Sequence, residues 1–135
     1  MALNEGVYAE EFILSELPGR ISRDVVTVTV AATTTLDPGQ VLGKITATGK
    51  YVPVDDTASD GRENAAGILV RELANAAGSP ADFADALVLN FGAEVSEGGL
   101  IWGASDDAAG IADLAALGIK VRASVPGDGS LSVNG

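Results

Sequence analysis

Between residues 38 and 102 the chain is a succession of short β-type runs punctuated by glycine, a pattern that points to a turn-rich β scaffold with thin layers. The runs are Val41-Leu42-Gly43-Lys44-Ile45-Thr46, Gly49-Lys50-Tyr51-Val52-Pro53-Val54, Ala66-Gly67-Ile68-Leu69-Val70, Ala86-Leu87-Val88-Leu89 and Leu100-Ile101-Trp102. The whole chain has no His and no Cys, so the commonest proton shuttle, the commonest thiol nucleophile and most transition-metal ligands are missing. This is a scaffold suited to binding. No catalytic residue, metal ligand, cofactor or small-molecule substrate is assigned, and the chain is not expected to be an enzyme.

At 135 residues the length suits one domain, with no room for a second core. A hydrophobic fraction of 47% is enough to build that core, but only 4% of residues are aromatic. Ala, Val, Leu and Ile must therefore fill it, with 17 Gly and 5 Pro supplying turns. Nineteen acidic residues against eight basic ones leave a formal net charge of -11, a field that repels phosphate backbones and anionic membrane surfaces. The cations Arg20, Arg23, Lys44, Lys50, Arg62, Arg71, Lys120 and Arg122 are scattered, so neither nucleic acid nor membrane is an expected partner. No stretch approaches the ~20 apolar residues of a membrane span. The N-terminus carries Glu5, Glu10 and Glu11 where a signal peptide carries Lys or Arg, so synthesis in a cytoplasm is expected. The absence of cysteine fits a reducing compartment.

Three regions differ in character: an arm over residues 1–35, a β-rich body over 36–123 and a flexible tail over 124–135. In the arm, the apolar triplet Phe12-Ile13-Leu14 is fenced by acids and Pro18-Gly19 breaks the run. In Val25-Val26-Thr27-Val28-Thr29-Val30, the residues Val26, Val28 and Val30 share one face of a strand, and 31–35 reads as a linker. The body opens with a hairpin, 41–46 against 51–54, followed by a polar loop at 55–64 with its turn at Asp60-Gly61. Residues 75–84 read as a loop holding one helical turn at 80–84, and Ser96-Glu97-Gly98-Gly99 as the turn between strands at 87–89 and 100–102. One helix is predicted over 106–117, with Ser105 or Asp106 as N-cap, Ile111, Leu114 and Leu117 on its inner face, and Gly118 as its stop. A last strand follows at 119–123. The fold class is mainly β with one or two short helices (α+β).

Local motifs that mimic chemistry fail on inspection. Gly39 and Gly43-Lys44 resemble a phosphate loop, but three residues separate the glycines, Ile45 replaces the Ser or Thr, and a strand stands where a helix is needed. Asp55, Asp56, Asp60 and Glu63 suggest a calcium loop, yet an EF-hand register begun at Asp56 puts Ala58 at a ligand position and Gly67 at the bidentate acid. Asp106-Asp107 suits the positive end of a helix. Gly127-Asp128-Gly129 is a turn without the third glycine of a dinucleotide site. Tyr51, Pro53 and Trp102 are candidate interface residues, with core filling an equally good account of the two aromatics. The alternating strand in the arm is either an ordinary first strand, which composition favours, or a donor that adds to a partner's sheet.

Taken in order, Glu11-Phe12-Ile13-Leu14-Ser15-Glu16, Ser22-Arg23-Asp24-Val25-Val26-Thr27-Val28, Pro38-Gly39-Gln40-Val41-Leu42-Gly43, Gly49-Lys50-Tyr51-Val52-Pro53 and Ala65-Ala66-Gly67-Ile68-Leu69 resemble the head decoration proteins of lambda-like bacteriophages and related prophages. Leu100-Ile101-Trp102 and Ala116-Leu117-Gly118-Ile119 extend the resemblance over about residues 10–123. It implies a β-clip-like fold, a homotrimer, and a cement role on the outer surface of the phage head in the virion, after synthesis in the host cytoplasm. The implied partners are the major capsid protein, at three-fold and quasi-three-fold sites, and further copies of the chain. The resemblance turns the arm into the capsid-binding element, with Phe12, Ile13, Leu14, Ile21, Val26, Val28 and Val30 as its contact residues. Relative to lambda's decoration protein the arm is longer and more regularly β-forming, and the tail after Ala123 is extra. The alternative is a non-catalytic β-rich binding module of a bacterial surface or phage tail structure.

Overall fold

In the computed structural model, residues 12–16, 22–103, 105 and 107–123 are described. The expected Pro18-Gly19 turn, Ile21, the Asp106 cap and the tail at 124–135 lie outside them. Strands β1 (Ile13–Glu16), β2 (Arg23–Val30), β3 (Thr34–Leu36), β4 (Val41–Lys44) and β5 (Tyr51–Pro53) come first. They are followed by β6 (Ala65–Leu69), β7 (Leu73–Asn75), β8 (Ala81–Leu89) and β9 (Ala93–Ser96). A 3₁₀ turn (Glu97–Gly99), helix α1 (Asp107–Ala116) and strand β10 (Ile119–Arg122) complete the order. Strands β2, β5, β4, β6 and β8 close into a barrel in that sequence, β1, β9 and β10 form a separate sheet, and β3 pairs with β7.

The barrel wall explains the continuous apolar runs in the sequence, because its central strands are buried on both faces. Leu42, Leu69 and Val88 point inward with Val28, Val30, Tyr51 and Ala86. Their chain neighbours Val41, Ile68 and Leu89 point outward, into a second cluster with Val95, Leu100, Leu114 and Ile119. The expectation of one core is corrected on this point: a single domain holds two apolar clusters, and it manages this at small size because they share one wall.

The first hairpin forms as expected, β4 antiparallel to β5 with Leu42 opposite Pro53 and Lys44 opposite Tyr51. Three expectations fail for tertiary reasons. The helical turn at 80–84 is instead the start of β8, which pairs antiparallel with β2 from Val30↔Ala81 to Arg23↔Leu89, so that backbone pairing overrides the helix-tolerant Ala and Asp residues there. The segment 31–35 is not a linker, since Thr34, Thr35 and Leu36 pair with Asn75, Ala74 and Leu73. Residues 100–102 do not form a hairpin partner for 87–89, because β9 intervenes and Ile101 makes only an isolated parallel bridge to Gln40.

Two buried polar side chains hold these irregular connections. The Asn75 side-chain amide donates to the carbonyls of Val30, Ala31 and Ser79, each at 3.0 Å, and its oxygen accepts the Ala77 N–H at 3.0 Å. Gln40 Nε2 donates to the carbonyls of Val41 and Ile101. Burial without such partners would cost ~1–3 kcal/mol per group.

Helix α1 packs by Leu114 into the outer core, with Ile111 and Leu117 half-buried, and the chain turns at Leu117 and Gly118 as expected. Ser105 tethers a loop. Its hydroxyl donates to the Val54 carbonyl at 3.3 Å and accepts the Asp56 N–H at 3.1 Å, tying the 55–64 loop down. Gly110 is buried against the Trp102 ring so closely that a Cβ there would overlap Cζ3 and lie 2.8 Å from Cη2. In an ordinary helix interior Gly→Ala gains up to about 1 kcal/mol. Gly110→Ala is expected to lose ~1–3 kcal/mol by overpacking, read as a lower midpoint in urea unfolding.

The barrel's parallel β2–β5 seam is thin, with Val28↔Tyr51 its pair of partners. Asp82 on β8 reaches across it, accepting from Lys50 Nζ at 2.6 Å and from the Thr29 hydroxyl at 2.7 Å. Lys50, and after it Thr29, hold the Asp82 carboxyl below its ordinary value. The folded-state pKa is therefore below the unfolded value of about 3.9, so this stabilisation is present above about pH 3.9 and is lost as pH falls through the lower folded value. Asp82→Asn is expected to lower stability at neutral pH and to show a smaller further loss on acidification below about pH 4. Urea titrations at neutral and acidic pH check this.

Candidate binding surface

The surface is built around β1. Phe12 is 3% exposed and packs against Gly99 of the 3₁₀ turn, while its carbonyl accepts the Ser96 N–H at 2.8 Å. Ile13 pairs with Val95 and leans on the outer core. A bulge then shifts the register between Ile13 and Ser15, so two consecutive side chains, Leu14 and Ser15, face outward. Leu14 is thereby 54% exposed although Ile13 before it and Glu16 two residues on are anchored. At the far end Glu16 takes a two-pronged contact from Arg23, with Nε to Oε1 at 2.9 Å and Nη2 to Oε2 at 2.6 Å. Fork-to-fork geometry of this kind is the strong form of an ion pair, and it ties β1 to the first residue of β2.

The predicted contact residues separate into distinct environments. Leu14 is exposed and Ile13 half-buried. Val26 is half-buried against the barrel core, and Val28 and Val30 are fully buried inside it. The arm boundary at residue 35 is corrected accordingly: from residue 22 onward the chain is part of the body, since β2 is a barrel strand paired along its length with β8. Tyr51 is in the barrel core with Lys44 Nζ 5.9 Å from its ring centre, Pro53 is half-buried opposite Leu42, and Trp102 is half-buried over Gly110. The Trp102 Nε1 hydrogen has no partner among the described residues.

Sequence reasoning overlooked three exposed apolar residues, Val25 at 54%, Phe91 at 50% and Ile101 at 37%. Val25 could have been found by parity, as the odd member of a strand whose even positions are buried. It lies opposite Leu87 in a groove also lined by Leu73, Arg71, Glu72 and Asp85. Phe91 follows the end of β8 and carries no periodic signal.

The acidic loop is organised by its own carboxylates. Asp55 accepts the Thr57 hydroxyl at 2.6 Å and the Thr57 N–H at 3.0 Å, Asp60 pairs with Arg62 at 2.9 Å, and Glu63 accepts the Gly61 N–H at 2.8 Å. The Thr57 and Arg62 contacts hold the Asp55 and Asp60 carboxyls below their ordinary value. These are turn-forming bonds within a loop, with Asp55, Asp60 and Glu63 committed locally.

A profile of the bacteriophage lambda head decoration protein D family matches residues 2–119. The chain belongs to that family. A comparison with curated proteins gives no match. Family membership makes this a structural protein of the virion that decorates the outside of the capsid, and the mainly β architecture with one helix agrees with it.

The Arg23–Glu16 clamp generates a local prediction. Arg23→Ala is expected to speed amide exchange at 13–16 about tenfold while exchange in β4 and β6 stays unchanged, because an edge strand opens below the global unfolding energy. Hydrogen exchange followed by NMR distinguishes this from a uniform rise, which would make the clamp part of the global core.

Proposed function

We propose that the protein binds the expanded phage head as homotrimers at three-fold and quasi-three-fold positions, and that it stabilises the shell against the pressure of packaged DNA. The observation that carries this reading is the match to the head decoration family over nearly the whole chain. The barrel with its two flanking sheets serves as the β-clip-like body of the trimer. The contact with the major capsid protein is made from the β1 side, where the bulge displays Leu14.

Phe12, Val28 and Val30 act in this scheme as the support beneath the contact, since their side chains are already consumed by the protein's own core. Leu14 and Val25 are the residues with apolar surface left to give. Burying one such side chain contributes ~1.5–3 kcal/mol, which is weak attachment for a single copy. Three copies joined in one trimer raise the effective concentration of each contact after the first is made, so modest contacts sum to firm attachment.

Leu14→Asp is expected to leave the fold intact, because the side chain faces solvent, and to weaken each capsid contact by about 10- to 150-fold. Purified protein incubated with expanded heads lacking decoration, then imaged by cryo-electron microscopy, reads the occupancy. Full occupancy by the variant would remove Leu14 from the contact, and wild-type density away from the three-fold positions would refute the placement.

A further inference from the structure

Val25 and Leu14 are equally exposed, each at 54%, but they lie in different surroundings. Val25 stands opposite Leu87 on the β2–β8 pair, and the Leu87 carbonyl accepts the Val70 N–H at 3.0 Å, which brings the chain at 71–73 alongside. The result is a groove of about 430 Å³ with Val25, Leu73 and Leu87 as its larger apolar residues. Leu73 packs on the inner cluster and Leu87 on the outer one, so the floor is fixed before any partner arrives.

The rim of this groove carries both signs of charge, unpaired. Arg71, Glu72 and Asp85 are exposed, and none of the three makes an ion pair among the described residues. The other described arginines are committed: Arg23 to Glu16, Arg62 to Asp60 and Arg122 to Glu94. Arg71 sits on the wall formed by the chain after β6, and Asp85 on the wall formed by β8. An apolar floor, a polar rim and an uncommitted arginine are the parts of a protein–protein contact.

A ligand of one sign is disfavoured here, because it meets either Arg71 or the two acids as like charge. A second copy of this chain brings both signs in the same spacing. Copies also need local compensation, since a net charge of -11 on each makes them repel at long range. Under a three-fold rotation, one wall of the groove faces the opposite wall in the next copy, and the contact repeats until the ring closes.

We propose that the Val25 groove is the contact between copies, with Arg71 of each paired to Asp85 of the next beside an apolar core of Val25, Leu73 and Leu87. This rests on the homotrimer proposed above and assigns its contact surface. Val25 is thereby given to the neighbouring copy, and Leu14 is left for the shell.

Hydroxyl-radical footprinting reads the groove in the unsubstituted chain. Because Val25 and Leu14 are equally exposed in a single copy, Leu14 is the internal standard once the intrinsic reactivities of the two side chains are corrected for. In the free assembly Val25 is expected to react about fivefold less than Leu14 or lower, as a desolvated contact centre does. Arg71→Glu is expected to weaken each contact about tenfold by like-charge repulsion with Asp85, and Arg71→Glu with Asp85→Arg to restore it. Light scattering across a dilution series reads both variants. Equal reactivity of Val25 and Leu14 in a trimer would overturn the contact, as would a trimer indifferent to Arg71→Glu or a double variant no stronger than the single one. Protection of Val25 that appears only on capsid heads would give the groove to the shell and overturn it too. Any of these results with a trimer mass overturns this contact alone, whereas a monomer mass for the unsubstituted chain overturns the trimer and the contact with it.

Discussion

Everything else in this structure depends on the wall formed by β4, β6 and β8 being apolar on both sides. Val41 and Leu42, Ile68 and Leu69, and Val88 and Leu89 are adjacent pairs whose members enter different clusters. Inside the barrel the wall closes over Val28, Val30 and Tyr51, and outside it provides the floor on which α1 and the β1-β9-β10 sheet rest. A chain poor in aromatic residues gains twice from each such pair, since a thin wall of aliphatic side chains is desolvated on both faces. The cost is a set of short strands joined by irregular turns, and buried Asn75 and Gln40 brace these connections by donating to the carbonyls of Val30, Ala31 and Ser79 and of Val41 and Ile101.

That arrangement decides where a binding surface can lie. Val28 and Val30 of β2 are closing staves of the barrel, so they cannot also be offered to a partner without opening it. What remains is the groove beside exposed Val25 and the periphery of the outer sheet. At that periphery a bulge turns Leu14 outward and the Arg23–Glu16 clamp keeps β1 in place. Display of apolar surface at a bulge, over residues fixed by burial, lets a small protein expose a contact without loosening its core.

Several elements were legible in the chain before folding because their cause is local. The β4–β5 hairpin follows from two β-type runs around a glycine turn, the helix from its amphipathic spacing, and the return strand after it from Gly118. The face of β2 formed by Val26, Val28 and Val30 was also readable, but its meaning was not, because alternation says that one face is apolar without saying what covers it. The strand at Ala81–Leu89 was misread as a loop and helical turn because Ala81, Asp82, Phe83, Ala84 and Asp85 have no β signal of their own. Their conformation comes from β2, more than fifty residues earlier, and no local pattern carries that information.

The candidate surface divides along the same line. The order of residues determined the class of protein: no His, no Cys, strong negative charge, a glycine-spaced β series, and a resemblance spread over many weak segments that the family match then bore out. Only the tertiary structure decided that Val28 and Val30 are core, that Leu14 and Val25 are surface, and that Glu16 and Arg23 form a clamp across the break between two strands. The physical reason is that composition and periodicity describe the side chains a strand carries, whereas exposure depends on which other strands pack against it. Those contacts join parts of the chain far apart in sequence.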